Sequence, residues 1–177
     1  MAYIILDRDG VINHDSDAYI KSPDEWCLIA GSDTAIKKLN DLGFIILLAT
    51  NQSGIARGYY SLDTLADIHK KMHSAIESVG GKITKVYFCP HGPDDGCDCR
   101  KPKTGLVDQA RVDYPNLGNV FFVGDSLGDL QSAKTAGCKP ILVKTGKGGA
   151  TLKKGLGVEL AQTPVFDDLL AFANSLI

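Results

Sequence analysis

The chain has 177 residues, of which 44% are hydrophobic and 23% charged, and carries a formal net charge of -2 at pH 7. These values fit one globular domain spanning 1–177, which buries roughly 70% of its unfolded surface without covalent staples. They argue against nucleic acid as the main partner, since no overall positive field draws a phosphate backbone. No apolar stretch approaches the ~20 residues that span a bilayer, so no membrane partner is expected.

The N-terminus enters its first apolar run without a preceding basic region, which disfavours a signal peptide. A cytoplasmic protein is expected, with its five cysteines kept as thiols or metal ligands rather than disulfides. No sequence feature calls for a second subunit, and a monomer is expected.

Five short, nearly continuous apolar runs at 3–6, 44–49, 86–88, 120–123 and 140–143 read as strands buried on both faces. Helical patterns alternate with them. One is predicted over 32–42, ending at Gly43. A second carries Leu62, Leu65, Ile68, Met72, Ile76 and Val79 on one face, with Ser61 as its N-cap and Gly80-Gly81 as its stop. Further helices are expected over 105–112, 127–136 and 167–176. The stretch 145–157 is rich in glycine and lysine and reads as a mobile, solvated loop. Strands alternating with helices predict an α/β fold with a doubly wound parallel sheet. Such sheets bind ligands beyond the carboxyl ends of their strands. Asp7, Thr50, Cys89 and Asp125 all fall there.

Asp7-Arg8-Asp9-Gly10 follows the first strand directly. Two carboxylates so close resist joint ionisation, and a bound Mg²⁺ is the natural reason to keep both. A surface turn is the plainer alternative. Asp7-Arg8-Asp9-Gly10-Val11, Leu47-Leu48-Ala49-Thr50-Asn51, Lys101, and Gly124-Asp125-Ser126-Leu127-Gly128-Asp129 occur in that order. Together they resemble the haloacid-dehalogenase-like (HAD) superfamily of phosphatases. The resemblance implies a HAD-like Rossmannoid sheet, and the short separations between its motifs leave no room for a separate cap domain.

It also implies roles. Asp7 would be the nucleophile, forming an aspartyl-phosphate. Asp9 would protonate the leaving oxygen and later accept a proton from water. Mg²⁺ would bind the Asp7 side chain, the Asp9 backbone carbonyl and Asp125. Thr50 would donate to a phosphoryl oxygen, and Lys101 would neutralise charge. Asp129 would either support this site or serve as a helix-start carboxylate.

Cys89-Pro90-His91 and Cys97-Asp98-Cys99 are separated by five residues. Three cysteines and one histidine suit a closed, structural Zn²⁺ site, a small zinc-binding loop that would rigidify the segment delivering Arg100 and Lys101. A pair of unrelated thiol pairs, or a disulfide, is the alternative. Cys27 and Cys138 read as plain apolar residues. His69 and His73, four apart on a helix, read as a solvated face.

A zinc loop in this position resembles the HAD subfamily that includes heptose-bisphosphate and histidinol-phosphate phosphatases. That resemblance implies a small sugar bisphosphate substrate, in the chemistry of heptose for lipopolysaccharide or surface glycans. Asp15, Ser16, Asp17, Ala18, Thr50, Asn51, Gln52 and Ser53 would line its site, and Arg100 would recognise it. Arg57 and Arg100 together suit a second anionic group better than the amine of histidinol phosphate, the closest rival. Ser126 stands where some members carry lysine, which leaves the anomer open. A zinc-stabilised interaction module without catalysis is the reading from another class.

Overall fold

The computed structural model describes residues 2–177. Six parallel strands form one sheet in the order β3-β2-β1-β4-β5-β6. They are β1 (Ala2–Leu6), β2 (Phe44–Asn51), β3 (Lys85–Cys89), β4 (Phe121–Gly124), β5 (Lys139–Val143) and β6 (Val165–Phe166). The chain order reverses between β1 and β4, and that switch point is where such sheets open a crevice.

Alternation along each strand divides two cores. Ile4, Leu6, Ile46, Leu48, Val123, Ile141 and Val143 pack to one face. There they meet α1 (Ser32–Asp41), α2 (Leu62–Ser78) and α6 (Leu169–Asn174). Ile5, Leu47, Ala49, Tyr87 and Phe122 pack to the other, against α3 (Gly105–Asp113) and the inner face of α4 (Leu127–Thr135). Neighbouring residues of one strand point to opposite faces, so an unbroken apolar run satisfies both layers. The doubly wound sheet is as expected, and among the described residues no cap domain stands over its carboxyl edge.

Helix α2 buries Leu65, Ile68, Met72 and Ile76 and begins where the Ser61 Oγ accepts the Thr64 N–H at 3.1 Å. Leu62 and Val79 were expected on the same face but are 55% and 36% exposed, standing at the two ends of the helix. Two differences concern whole elements. The two-residue β6 is too short to leave a sequence signal, and pairs Val165 and Phe166 with Leu142 and Val143. The stretch expected as a mobile loop contains a sixth α-helix, α5 (Gly148–Lys154), and is fastened to the sheet edge. Cys27 is exposed rather than apolar core, whereas Cys138 is buried as expected.

Candidate active site and metal centres

The crevice is built where β1 and β4 end side by side. The Asp7 N–H donates to the Val123 carbonyl at 2.9 Å, which carries the pairing one step past the strands. The chain then turns at Gly10, with φ of 80°. A Cβ at Gly10 would lie 1.9 Å from Asp125 Oδ2, and one at Gly146 would lie 2.2 Å from it. Asp125 therefore rests between two glycines that have no room for a side chain. Its Oδ2 accepts the Lys147 N–H at 2.7 Å.

Three carboxylates gather here. Oxygens of Asp7, Asp125 and Asp129 all lie within 4.8 Å of one another, and all three residues are buried. Lys101 sits among them, with Nζ 2.9 Å from Asp7 Oδ1, 2.6 Å from Asp129 Oδ1, and donating to the Ala49 carbonyl at 2.7 Å. One cation does not balance three anions. Burial, and after it the charge of Asp129, pushes Asp7 up to about 7, against the pull of Lys101. Burial and the neighbouring Asp129 and Asp7 push Asp125 up to about 9. Burial also opposes the charge on Asp129, but Lys101 and Ser126 outweigh it and hold that carboxyl below its usual range. The cost of crowding is what a divalent cation removes, and hard oxygen ligands in this number suit Mg²⁺.

Asp129 fills both roles considered for it. With Ser126 it forms the capping box of α4 through its Oδ2, and through Oδ1 it pairs with Lys101. Asp9 points elsewhere. Its Oδ1 accepts from Arg8 Nε at 3.0 Å, Arg8 Nη2 at 2.8 Å and Asn13 Nδ2 at 2.9 Å, and its Oδ2 from Gln52 Nε2 at 3.0 Å. These partners occupy both oxygens of its side chain. Burial opposes its charge, but Arg8 and the hydrogen bonds prevail and hold it below the usual carboxylate range.

Arg8 is wholly buried, and its Nη1 lies 3.2 Å from His69 Nε2. This corrects the reading of His69 as part of a solvated face. Burial, then the Arg8 charge, pushes His69 down to about 3, so the neutral ring accepts at Nε2. Tyr60 completes the chain by donating to Gln52 Oε1 at 2.6 Å.

A cavity of about 310 Å³ opens over these groups. Its walls include Asp7, Asp9, Asp15, Ser16, Asp17, Asn51, Gln52, Ser53, Arg100, Lys101, Asp125 and Ser126, all expected from the sequence. Three expected residues are not in its wall. Thr50 is fully buried behind it, with Oγ1 accepting from Gln52 Nε2 at 2.9 Å. Ala18 is exposed and caps the turn toward Lys21. Arg57 is exposed and stacks over the Tyr19 ring, 5.9 Å from its centroid. Tyr19, Ile20, Tyr60 and Lys147 join the wall without having been singled out. The only sequence signal for Lys147 was the lysine-rich stretch that contains it.

Close by, ligand atoms of Cys89, His91, Cys97 and Cys99 lie within 4.8 Å of one another. Sγ of Cys89 is 3.7 Å from Sγ of Cys97 and 3.0 Å from Sγ of Cys99, and His91 Nδ1 is 3.3 Å from Sγ of Cys99. Sulfurs around a tetrahedral zinc with bonds of about 2.3 Å stand slightly under 4 Å apart, whereas a disulfide requires about 2.05 Å. All five cysteines are free in this structure, and no pair of these sulfurs stands at disulfide distance. The four residues fit a zinc ion. Gly105 closes the loop: its N–H donates to the Asp98 carbonyl at 3.0 Å, and a Cβ there would meet that oxygen at 2.5 Å.

Residues 98–172 match a family model described as HAD-hydrolase-like. A D-glycero-beta-D-manno-heptose-1,7-bisphosphate 7-phosphatase of Pseudomonas putida is 52% identical over 178 residues, covering 100% of each chain. One from Bordetella bronchiseptica is 52% identical, covering 100% of this chain and 98% of its own. Among solved structures, the D,D-heptose 1,7-bisphosphate phosphatase from B. bronchiseptica, complexed with magnesium and phosphate, superposes with a TM-score of 0.94. It shares 51% identity and covers 99% of this chain and 98% of its own. Fold and matched segment define a HAD-like hydrolase. Within that class, the chain belongs to the family of the D-glycero-β-D-manno-heptose-1,7-bisphosphate 7-phosphatases.

Proposed function

We propose that this enzyme hydrolyses the 7-phosphate of D-glycero-β-D-manno-heptose 1,7-bisphosphate, with Mg²⁺, through an aspartyl-phosphate on Asp7. The observation that carries the reading is a buried Asp7 carboxylate, paired with Lys101 beside Asp125 and open to a cavity, in a chain 52% identical over its length to such phosphatases. Magnesium held by the Asp7 and Asp125 carboxylates and the Asp9 carbonyl would supply a Lewis acid that neutralises phosphoryl and carboxylate charge.

The chain's own groups do the rest. An Asp7 oxygen attacks phosphorus, and the bond from phosphorus to the C7 oxygen breaks. Asp9 gives its proton to the departing oxygen. Arg8, Asn13 and Gln52 favour the ionised form of Asp9. A dianionic phosphate arriving beside it raises its proton affinity, because like charges oppose each other. Water then attacks phosphorus, Asp9 accepts the water's proton, and the bond to Asp7 breaks to release phosphate. Lys101 holds Asp7 in line and stabilises the added charge. Thr50, fully buried behind the wall, holds Gln52 in place by accepting from its Nε2. Arg100 takes the phosphate that is kept.

We also infer that Zn²⁺ bound by Cys89, His91, Cys97 and Cys99 fills a closed site and fixes the backbone that leads into Arg100 and Lys101. Turnover of the heptose bisphosphate and of histidinol phosphate tests the assignment. The bisphosphate should be the better substrate; a tenfold preference for histidinol phosphate would reverse the reading.

A further inference from the structure

We propose that Lys147 is a specificity-determining residue: it leaves a resting ion pair with Asp15 across the pocket mouth and binds the phosphate that is not hydrolysed. The inference rests on the bisphosphate reading above and assigns a second cation to that phosphate.

The backbone of Lys147 cannot drift from the site. Its N–H donates to Asp125 Oδ2 at 2.7 Å, the Thr145 hydroxyl donates to the Gly10 carbonyl at 2.7 Å, and the Thr151 hydroxyl to the Asp125 carbonyl at 2.9 Å. From that anchor the side chain crosses the opening. Its Nζ reaches 3.3 Å from Asp15 Oδ2 and 4.0 Å from Asp17 Oδ1, with 58% of the side chain exposed. A flexible four-carbon stem carrying a compact charge can change partners without moving the backbone. An ion pair this exposed is weak, so giving it up costs little.

The charges lining the cavity require such a group. Its acids include Asp15 and Asp17 at the mouth, which repel a second dianionic phosphate. Its cations are Arg100, Lys101 and Lys147. Lys101 is buried and engaged by Asp7 and Asp129. The Ser126 hydroxyl is committed to the Asp129 capping box. Arg57 lies outside, against Tyr19. Arg100 and Lys147 are left to receive the distal phosphate, and the move of Lys147 frees Asp15 to accept from sugar hydroxyls.

The test compares heptose 1,7-bisphosphate with heptose 7-phosphate, which lacks the distal group, for the wild type, Lys147→Met and Lys147→Arg with saturating Mg²⁺. A lost charge-assisted contact lowers the ratio of kcat/KM between the two substrates by about tenfold or more in Lys147→Met, chiefly through KM for the bisphosphate. Lys147→Arg should keep most of the wild-type ratio. An unchanged ratio in Lys147→Met, or an equal fall for both substrates, would overturn the inference. A wild-type enzyme that turns over both compounds equally well would overturn it alone, while one inert toward the bisphosphate would overturn the proposed function as well.

Discussion

The ammonium of Lys101 lies 2.9 Å from the carboxylate of Asp7, with 3% of the lysine side chain exposed. The contact joins the end of β1 to the segment that leaves the cysteine cluster. Buried so deeply, Lys101 needs its anions as much as they need it, and they raise its pKa above the usual lysine value despite the burial.

Replacing Lys101 with methionine should therefore damage both stability and rate. Breaking a buried pair typically costs about 3–5 kcal/mol, and removing one such stabilising donor lowers turnover by about 10²–10³. Thermal unfolding and kcat of Lys101→Met check this. Wild-type turnover in a well-folded variant would remove Lys101 from the mechanism.

The crowded carboxylates set a pH signature. Asp7 and Asp125 have folded pKa values near 7 and near 9, above the ordinary 3.8. Above about pH 5 the unfolded chain has already released those protons, whereas the folded metal-free chain keeps Asp7 protonated until about pH 7 and Asp125 until about pH 9. The folded state thus binds more protons, and its stability falls as pH rises through both values. Mg²⁺ binds the ionised carboxylates, so the rise in Tm it produces should be larger at pH 9 than at pH 6.5. Thermal melts with and without Mg²⁺ at the two pH values check it. A Mg²⁺ effect that is equal at both, or larger at pH 6.5, would count against the cluster as the metal site.

His69 supports Asp9 only through Arg8. His69→Phe leaves the buried Arg8 Nη1 without its acceptor, which costs about 1–3 kcal/mol, or several degrees of Tm. His69→Gln retains an amide oxygen and should lose less. Equal melting temperatures for the two variants would show that the contact contributes nothing.

Zinc should copurify at one ion per chain and depart in Cys97→Ser, Cys99→Ser. Elemental analysis, melting and turnover of that double variant form one test. The variant should melt lower and lose turnover, because Lys101 stands two residues after Cys99. Full activity without zinc would separate the loop from the site.

The carboxyl-edge residues were legible because each follows an unbroken apolar run, and a parallel sheet brings all such ends together. Asp7, Asp9 and Asp125 follow this logic, whereas Lys101 stands outside any apolar run and was carried by the HAD resemblance. The misses have a different origin. His69 pairs with a residue 61 positions away, and Lys147 with Asp125, 22 positions away, and sequence periodicity carries no trace of such contacts. Arg57 matched a motif but was turned outward by stacking on Tyr19, whose backbone has a φ of 67°. Thr50 is at the expected strand end but lies one layer deeper, behind Gln52.

Phosphorus NMR of D-glycero-β-D-manno-heptose 1,7-bisphosphate incubated with enzyme and Mg²⁺ addresses the proposed chemistry most directly. The C7 resonance should give way to inorganic phosphate while the C1 resonance persists, and Asp7→Asn should leave both untouched. Release from C1, or undiminished hydrolysis by Asp7→Asn, would contradict the account.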